Sequence, residues 1–210
     1  MAENIGMWFA GKTGEARYES NGKAVKKRVG RESGFSLIEL LIVVAIILIV
    51  SAIAVPNFLR ARMAANEASA ASALKLMGTA NVGYAASYGQ GYAGSLAQLG
   101  PPSGGCASLS SACADFLDSM LSGVDPASAT PVKSGYRFTY YAQNAVPTPS
   151  TPNNNYAVVA TPVNPGNTGQ ATFCFDNTIS IFKDTAGSIT AADDTGCAAT
   201  WPVGGSVGPL

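Results

Sequence analysis

The stretch that decides the fold is FSLIELLIVVAIILIVSAIAV, from Phe35 to Val55, in which Glu39 is the only ionisable side chain. As a helix, these 21 residues are about 31 Å long, close to the roughly 30 Å hydrocarbon core of a bilayer. No clean small-residue cleavage site ends the stretch as in a removable signal peptide, so we expect a retained transmembrane helix. The basic residues before it favour a cytoplasmic N-terminus: Lys26, Lys27, Arg28 and Arg31.

Glu39 is the anomaly in this apolar stretch. A carboxylate at the centre of a membrane helix costs about 2.5–3.5 kcal/mol and less near an interface, and such a charge is a functional hypothesis that needs a partner. The stretch itself contains no Lys or Arg. A free α-amino group four residues upstream would serve if the chain were cut before Phe35.

The segment Gly34-Phe35-Ser36-Leu37-Ile38-Glu39-Leu40 resembles the processing and methylation motif of type IV pilins and the related pseudopilins. The resemblance implies cleavage after Gly34 by a prepilin peptidase on the cytoplasmic side, and N-methylation of Phe35 by the same enzyme. Glu39 then occupies the fifth mature position, and Pro56 stands where many members have a proline. The resemblance is specific over Gly34–Pro56.

The same resemblance implies what the chain binds and where it goes. Its partners are the prepilin peptidase, an inner-membrane assembly platform, the membrane and further copies of itself in a helical fibre. Glu39 pairs with the terminal amine of a neighbouring subunit and selects the register. The precursor lies in the inner membrane, and the product is a surface fibre or, alternatively, a periplasmic pseudopilus. No cofactor is implied.

The leader, residues 1–34, departs from the commonest pattern because it is long. It carries seven Lys or Arg against four Glu. Either it is an extended cytoplasmic tail, or the true start lies further downstream, near Val25. Both readings leave the function unchanged.

The helix is expected to continue beyond the apolar segment of residues 35–56. Residues 57–88 contain ten alanines in 32 positions, and alanine is the strongest helix former. A kink or locally melted turn is expected at Pro56, which has no amide hydrogen to donate. An amphipathic stripe should bury itself against a globular head, and glycines from Gly89 onward should end the helix. The stripe consists of Ala70, Ala73, Met77, Ala80 and Tyr84.

The head predicted from the sequence is a connecting region, residues 89–134, followed by a β-rich region, residues 135–210. The connecting region should hold one short helix within residues 112–123. Alternation and turn residues predict an antiparallel meander of three or four strands, its last two joined by a tight hairpin at Asp176-Asn177. The fold class is therefore α+β, with a long helix laid across one sheet face, as the pilin resemblance also implies. The predicted strands are 135–141, 156–163, 171–175 and 178–182.

Four cysteines follow the apolar segment and form no C-x-x-C pair, which argues against a zinc ribbon or a thioredoxin-like motif. An even number favours two disulfides in an oxidising compartment. Three pairings are possible, and spacing favours Cys106 with Cys113 and Cys174 with Cys197. The alternative is four buried free thiols.

Composition excludes much enzyme chemistry. The chain has 13 basic and 13 acidic residues and no histidine, which removes Ser-His-Asp and Cys-His catalysis and His-bearing zinc sites. No basic face favours nucleic-acid binding. A membrane-anchored enzyme is a third hypothesis, but no nucleophile–base pair, metal cluster or phosphate loop supports it, so no catalytic residue is predicted.

Three surface features have competing interpretations. Asp193 and Asp194 could help to bind calcium, as a C-terminal loop does in major pseudopilins, although a solvated acidic turn explains them better and no metal site is predicted. Arg60 and Arg62 could pair with acids of a neighbouring subunit or be solvated. The proline-rich run 147–152 could be a glycosylated or partner-binding loop, although a plain spacer explains it better.

Overall fold

The computed structural model of the chain describes residues 34–101, 104–124 and 127–210. The leader predicted over residues 1–34 lies outside the described residues apart from Gly34. The described residues divide into two units, one that ends at Val44 and one that runs from Ala45 to Leu210. The elements are helices α1 (Leu37–Tyr88) and α2 (Leu96–Leu99) and strands β1 (Val132–Lys133), β2 (Tyr136–Ala142), β3 (Tyr156–Pro162), β4 (Thr172–Asp176), β5 (Ile181–Asp184) and β6 (Val207–Pro209).

The fold is α+β and pilin-like, as predicted, with a long helix packed on an antiparallel sheet. The strands pair in chain order, β1 to β6, and each pair is antiparallel. The sheet has six strands where the sequence predicted three or four. The two additional strands are the short edge strands β1 and β6, whose two and three residues are too few for a readable alternation.

Helix α1 ends where the sequence predicted, at Tyr88. Gly89 follows with φ 62°, the left-handed conformation in which glycine carries no steric penalty, and its amide donates to the Ala85 carbonyl at 3.1 Å. The alanine-rich segment therefore stays helical up to Tyr88, and Gly89, whose backbone is left-handed, ends the helix.

The predicted stripe on α1 is confirmed as the face that contacts the sheet, because all five of its members are buried. Gly78 lies on the same face, where the ring of Phe175 from β4 occupies the position that a Cβ would take. A glycine at this position therefore lets the helix axis approach the sheet closely. The buried residues of α1 are Ala70, Ala71, Ala73, Leu74, Met77, Gly78, Ala80, Asn81 and Tyr84.

The helix predicted within residues 112–123 is wrong, because this segment forms turns. The amides of Phe116 and Leu117 both donate to the Leu99 carbonyl, at 2.7 and 2.9 Å, and are not available for helical bonds. Asp115 has φ 56°, which an α-helix does not allow. Leu117 and Leu121 are nevertheless buried, so the apolar spacing marked core residues but not a helix.

The β4–β5 connection also differs from the tight hairpin predicted at Asp176-Asn177. Strand β5 begins at Ile181, not Thr178, so four residues link the strands. The Asp176 carboxylate accepts the Thr178 amide at 3.0 Å, and the Asp176 carbonyl accepts the Ile179 amide at 3.0 Å. These bonds lengthen the turn by holding two amides away from the strand ladder.

The sheet has a second buried face, opposite α1, which the C-terminal segment covers. Trp201 is fully buried there beside Val159, and its indole N–H donates to the Ala191 carbonyl at 2.9 Å. The disulfide Cys174–Cys197 joins this segment to β4, with Cα atoms 5.9 Å apart. The second disulfide, Cys106–Cys113, closes a loop in the connecting region. Both pairings are those that the spacing favoured.

Asp184 holds the beginning of the C-terminal segment. Its buried carboxylate accepts the amides of Ala186, Ser188 and Ile189 at 3.0, 2.7 and 3.0 Å. Burial alone would raise the pKa of the Asp184 carboxyl, but these bonds, with one from the Ser206 hydroxyl, hold it well below its usual value. The carboxylate therefore stays ionised and fixes the chain as it leaves β5.

Glu67 attaches α1 to the sheet, on the face that the C-terminal segment does not cover. Its carboxylate accepts the amides of Gln170 and Ala171 at 3.1 and 3.2 Å and lies 3.1 Å from the Lys183 ammonium. Burial acts to raise the pKa of Glu67, but the two amides and Lys183 outweigh it and lower the pKa below 4.5. One side chain thus binds β5 and the residues that precede β4.

Removal of the Cys174–Cys197 disulfide should destabilise the head more than removal of the other. On the chain-entropy estimate, a bond spanning 23 residues contributes about 3 kcal/mol and one spanning 7 about 2 kcal/mol. We expect Cys174→Ala/Cys197→Ala to lower the free energy of unfolding by the larger amount and to expose Trp201 to solvent. Denaturant titration of the detergent-solubilised mature chain, followed by Trp201 fluorescence, measures both effects.

The Cys106→Ala/Cys113→Ala pair is the matched control, and it should leave the native Trp201 emission unchanged. Equal losses of stability from the two pairs, or an unaltered Trp201 environment in the first, would contradict this assignment.

Glu67→Gln should destabilise the head in a pH-dependent manner. The folded-state pKa of Glu67 lies below its unfolded value, so its stabilising contribution is present above pH 4.5 and is lost as the pH falls through the folded pKa. At pH 7 we expect a loss of about 1–2 kcal/mol, because charge-assisted hydrogen bonds are removed. Denaturant titrations at pH 7 and at a series of pH values below 4.5 should show the difference between the variant and the native chain shrinking as the pH falls. A difference that is constant across this range would refute the role of the charge.

Candidate functional site

The candidate site begins at the N-terminal end of the described chain. Gly34 precedes α1, and a Cβ added to it would meet no atom within 4 Å. Packing within the head therefore gives no reason for a glycine at this position. Phe35 follows it and is 81% exposed. The residues on both sides of the predicted cleavage bond are thus accessible.

Glu39 lies in the first turn of α1, immediately after this accessible bond. The Ser36 carbonyl accepts the amides of Glu39 and Leu40 at 3.1 and 3.2 Å, which closes the first helical turn. An acidic side chain at this end of a helix interacts favourably with the macrodipole. The two ion pairs among the described residues are Lys133–Asp118 and Lys183–Glu67, so no described cation pairs with Glu39.

The helix that follows Glu39 carries an unbroken apolar surface. Every large apolar side chain from Phe35 to Leu59 is exposed, by 42 to 81%. By length and composition, α1 is long and apolar enough to cross a membrane, and none of its most apolar stretch is buried. Exposed apolar surface of this extent marks a membrane or protein contact.

Helix α1 is continuous through Pro56, so the turn there is not melted. Proline has no amide hydrogen, and the Ala52 carbonyl therefore loses its helical donor. The kink expected at this position stays a prediction.

The apolar run ends at Arg60 and Arg62, which are both exposed. Twenty residues without a charged side chain separate Arg60 from Glu39. Neither arginine takes part in an ion pair with another described residue. These arginines and Glu39 therefore delimit the uncharged part of the helix.

The acidic pair near the C-terminus shows the features of a polar turn. Asp193 accepts the amide of Thr195 at 2.9 Å through its Oδ1 atom, which the Thr195 hydroxyl also contacts, and Asp194 is exposed. These bonds lower the pKa of Asp193. Residues 34–101, 104–124 and 127–210 contain no group of three or more His, Cys, Asp or Glu side chains that could hold a metal ion.

Buried polar contacts that were not predicted from the sequence hold the helix in the head. Asn81 is fully buried, and its Oδ1 accepts the Ala93 amide at 3.2 Å and the Tyr140 hydroxyl at 2.8 Å. A signal was present, because Asn81 lies four residues after Met77 on the apolar stripe. Glu67, by contrast, could not be recognised, because its partners are more than 100 residues away in sequence.

One family model matches this chain, the prokaryotic N-terminal methylation motif, over residues 30–55. The match covers Gly34, Phe35 and Glu39 and ends just before Pro56. No curated protein and no solved structure matches the chain significantly. The motif points to a structural subunit and not to an enzyme. Residues 30–55 are the signature of the type IV pilins and pseudopilins, and the chain carries this signature at the head of its membrane-capable helix.

Proposed function

We propose that the chain is a structural subunit of a type IV pilus-like surface fibre, processed by a prepilin peptidase and assembled through its N-terminal helix. The observation that carries the proposal is the methylation motif at residues 30–55, which coincides with the part of α1 whose large apolar side chains are all exposed. Such a surface requires either lipid or other subunits around it. A fibre subunit uses both in turn, first in the membrane and then in the fibre core.

The first step is cleavage of the Gly34–Phe35 peptide bond. Phe35 then carries a free amine, which is largely cationic at neutral pH and stays basic after methylation. The exposure of Phe35 and the open space around Gly34 support access of a peptidase to this bond. Cleavage also removes the basic residues of the leader, so the mature N-terminus begins with the apolar helix.

The second step is assembly of mature subunits through α1. The apolar side chains between Phe35 and Leu59 supply the attraction between helices, and this attraction does not depend on register. Glu39 supplies the register, because an unpaired carboxylate within an apolar bundle is costly unless a positive charge matches it. The amine of an incoming neighbour is that charge. A helix shifted along the fibre axis leaves Glu39 unmatched.

The head is suited to display outside the cell. Two disulfides close its connecting region and its C-terminal layer, and such bonds persist in oxidising compartments. The pseudopilin of a type II secretion system is the alternative, since it shares the motif. Electron microscopy of cells lacking the gene separates the two: loss of surface fibres supports a pilin, and normal fibres with a secretion defect support a pseudopilin.

Gly34→Leu should block processing, because a bulky side chain at the residue before the cut bond does not fit a site that accepts glycine. We expect the variant to accumulate in the membrane as a precursor that retains all 34 leader residues. Intact-mass spectrometry of the membrane fraction measures this. Gly30→Leu is the matched control and should be cleaved normally. Mature chains that begin at Phe35 in the Gly34→Leu strain would disprove the cleavage assignment.

Glu39→Ala should leave membrane insertion and cleavage intact but reduce fibre yield at least about tenfold, which corresponds to a loss of roughly 1.4 kcal/mol in subunit addition. The reason is that the apolar attraction remains while the charge that selects register is gone. The yield of sheared fibres is measured relative to the subunit content of the membrane in the same cells.

Leu40→Ala is the matched control, since it removes apolar surface beside Glu39 but no charge, and it should assemble far better. Normal fibres built from Glu39→Ala subunits alone would rule out the register role.

A further inference from the structure

The connection between β2 and β3 contains the run Pro147-Thr148-Pro149-Ser150-Thr151-Pro152, which the fibre assembly leaves without a role. Pro149, Ser150 and Thr151 are exposed, and Thr148 is half-buried. Runs of Ser and Thr among prolines are typical of O-glycosylated segments, although they also occur as plain spacers. The geometry of this run separates the two roles.

The run forms a turn that is closed by its own groups. Thr148 and Thr151 exchange two backbone hydrogen bonds, at 3.3 and 3.1 Å. The Thr148 hydroxyl lies 3.0 Å from the Ser150 hydroxyl and 2.7 Å from the Thr151 hydroxyl, and it accepts the Thr151 amide at 3.1 Å. The turn therefore presents a fixed cluster of hydroxyl groups, which a flexible spacer does not need.

A buried side chain holds the base of this turn. Asn153 is fully buried, accepts the Asn144 amide at 2.9 Å and donates to the Asn144 carbonyl at 2.9 Å. Its backbone pairs with the loop after α1, through bonds to Gln90 and Tyr92 of 3.2 and 2.8 Å. The turn is thus fixed beside the C-terminal end of α1. About 50 Å of helix separates that end, Tyr88, from Val55 at the end of the apolar stretch.

The surroundings of the turn favour a neutral modification. Residues 142–156 contain no charged side chain, so the segment offers no cation to pair with a phosphate. Apart from its hydroxyl groups, its polar side chains are the amides of Gln143, Asn144, Asn153, Asn154 and Asn155, which form hydrogen bonds with hydroxyl-rich groups. Nowhere in the 210 residues does Asn head an Asn-x-Ser/Thr sequence, so a glycan on this chain would need a hydroxyl acceptor.

We propose that Ser150 is the acceptor of an O-linked glycan. Thr148 is unsuitable, because its oxygen already contacts two hydroxyls and one amide that close the turn. Ser150 is exposed and contacts only the Thr148 hydroxyl, so its oxygen can be substituted while the backbone of the turn stays closed. The inference goes beyond the proposed function and requires only that the head lies outside the cytoplasm.

The transfer step is a substitution at the anomeric carbon of a lipid-linked sugar diphosphate, the class of donor that presents its sugar on the outer side of the membrane. The Ser150 oxygen forms the new bond to that carbon, and the bond from the carbon to the diphosphate oxygen breaks. The diphosphate carrier leaves with the bonding electrons, and a base of the transferase takes the hydroxyl proton. No oxidant or reductant is required.

The test uses the full-length chain isolated from membranes and fibres of its native host. We expect an intact mass above that of the disulfide-bonded polypeptide by one or more sugar residues, and fragmentation that retains the side chain should place the excess on Ser150. Ser150→Ala should lose the excess completely, and Ser150→Thr should keep it. Ser108→Ala, which removes an exposed hydroxyl in the loop closed by Cys106–Cys113, is the matched control and should keep it too.

Three results would overturn the proposal: an intact mass that is fully explained by the disulfide-bonded polypeptide with or without a methyl group on Phe35, an excess that corresponds to phosphate, or a sugar that persists in Ser150→Ala. Each is read from the mass of the chain and its fragments, which membrane-extracted subunits also provide, so the outcome does not depend on whether the chain assembles into fibres. Failure here and failure of the proposed fibre function are therefore distinguished.

Discussion

The close approach of α1 to the sheet is the constraint on which the head depends. At Gly78 the ring of Phe175 occupies the place of a side chain, and Ala70, Ala73 and Ala80 keep the same face narrow. At this short separation, rotation of the helix about its axis would bring larger side chains into collision with the sheet. The polar contacts of Asn81 and Glu67 fix that rotation, because each satisfies groups on a neighbouring loop or strand only in one orientation.

Local patterns in the sequence were sufficient for those parts of the fold whose causes are local. Helix-forming residues and the glycines after them predict the end of α1, and apolar periodicity predicts its buried stripe. Alternation predicts four of the strands. Each disulfide joins two cysteines that are consecutive among the four. The helix predicted within residues 112–123 does not form, because the amides of Phe116 and Leu117 donate to the Leu99 carbonyl, a partner that apolar spacing cannot reveal. Strands β1 and β6 could not be predicted, because two or three residues are too few to show an alternation of buried and exposed side chains.

The same difference between local and long-range causes applies to the functional and structural residues. Gly34, Phe35 and Glu39 were identified from one continuous motif, since a single charge in an apolar run is visible in the sequence itself. The groups that hold the head, above all Glu67 with Lys183, were invisible because their partners come together only in the folded chain. Function that resides in a linear segment is therefore easier to recognise than stability that depends on tertiary contacts.

The strand order of the sheet has a consequence for export. Every strand pairs with its neighbour in the chain, and no strand is inserted between earlier ones. When the head emerges behind a membrane-anchored helix, each new strand meets a partner that has already arrived, and pairing closes only the one loop that joins the two strands. The sheet can thus be completed strand by strand during export. The thiols of Cys174 and Cys197 then lose two electrons to an oxidant of the compartment, and the resulting disulfide fixes the C-terminal layer to β4.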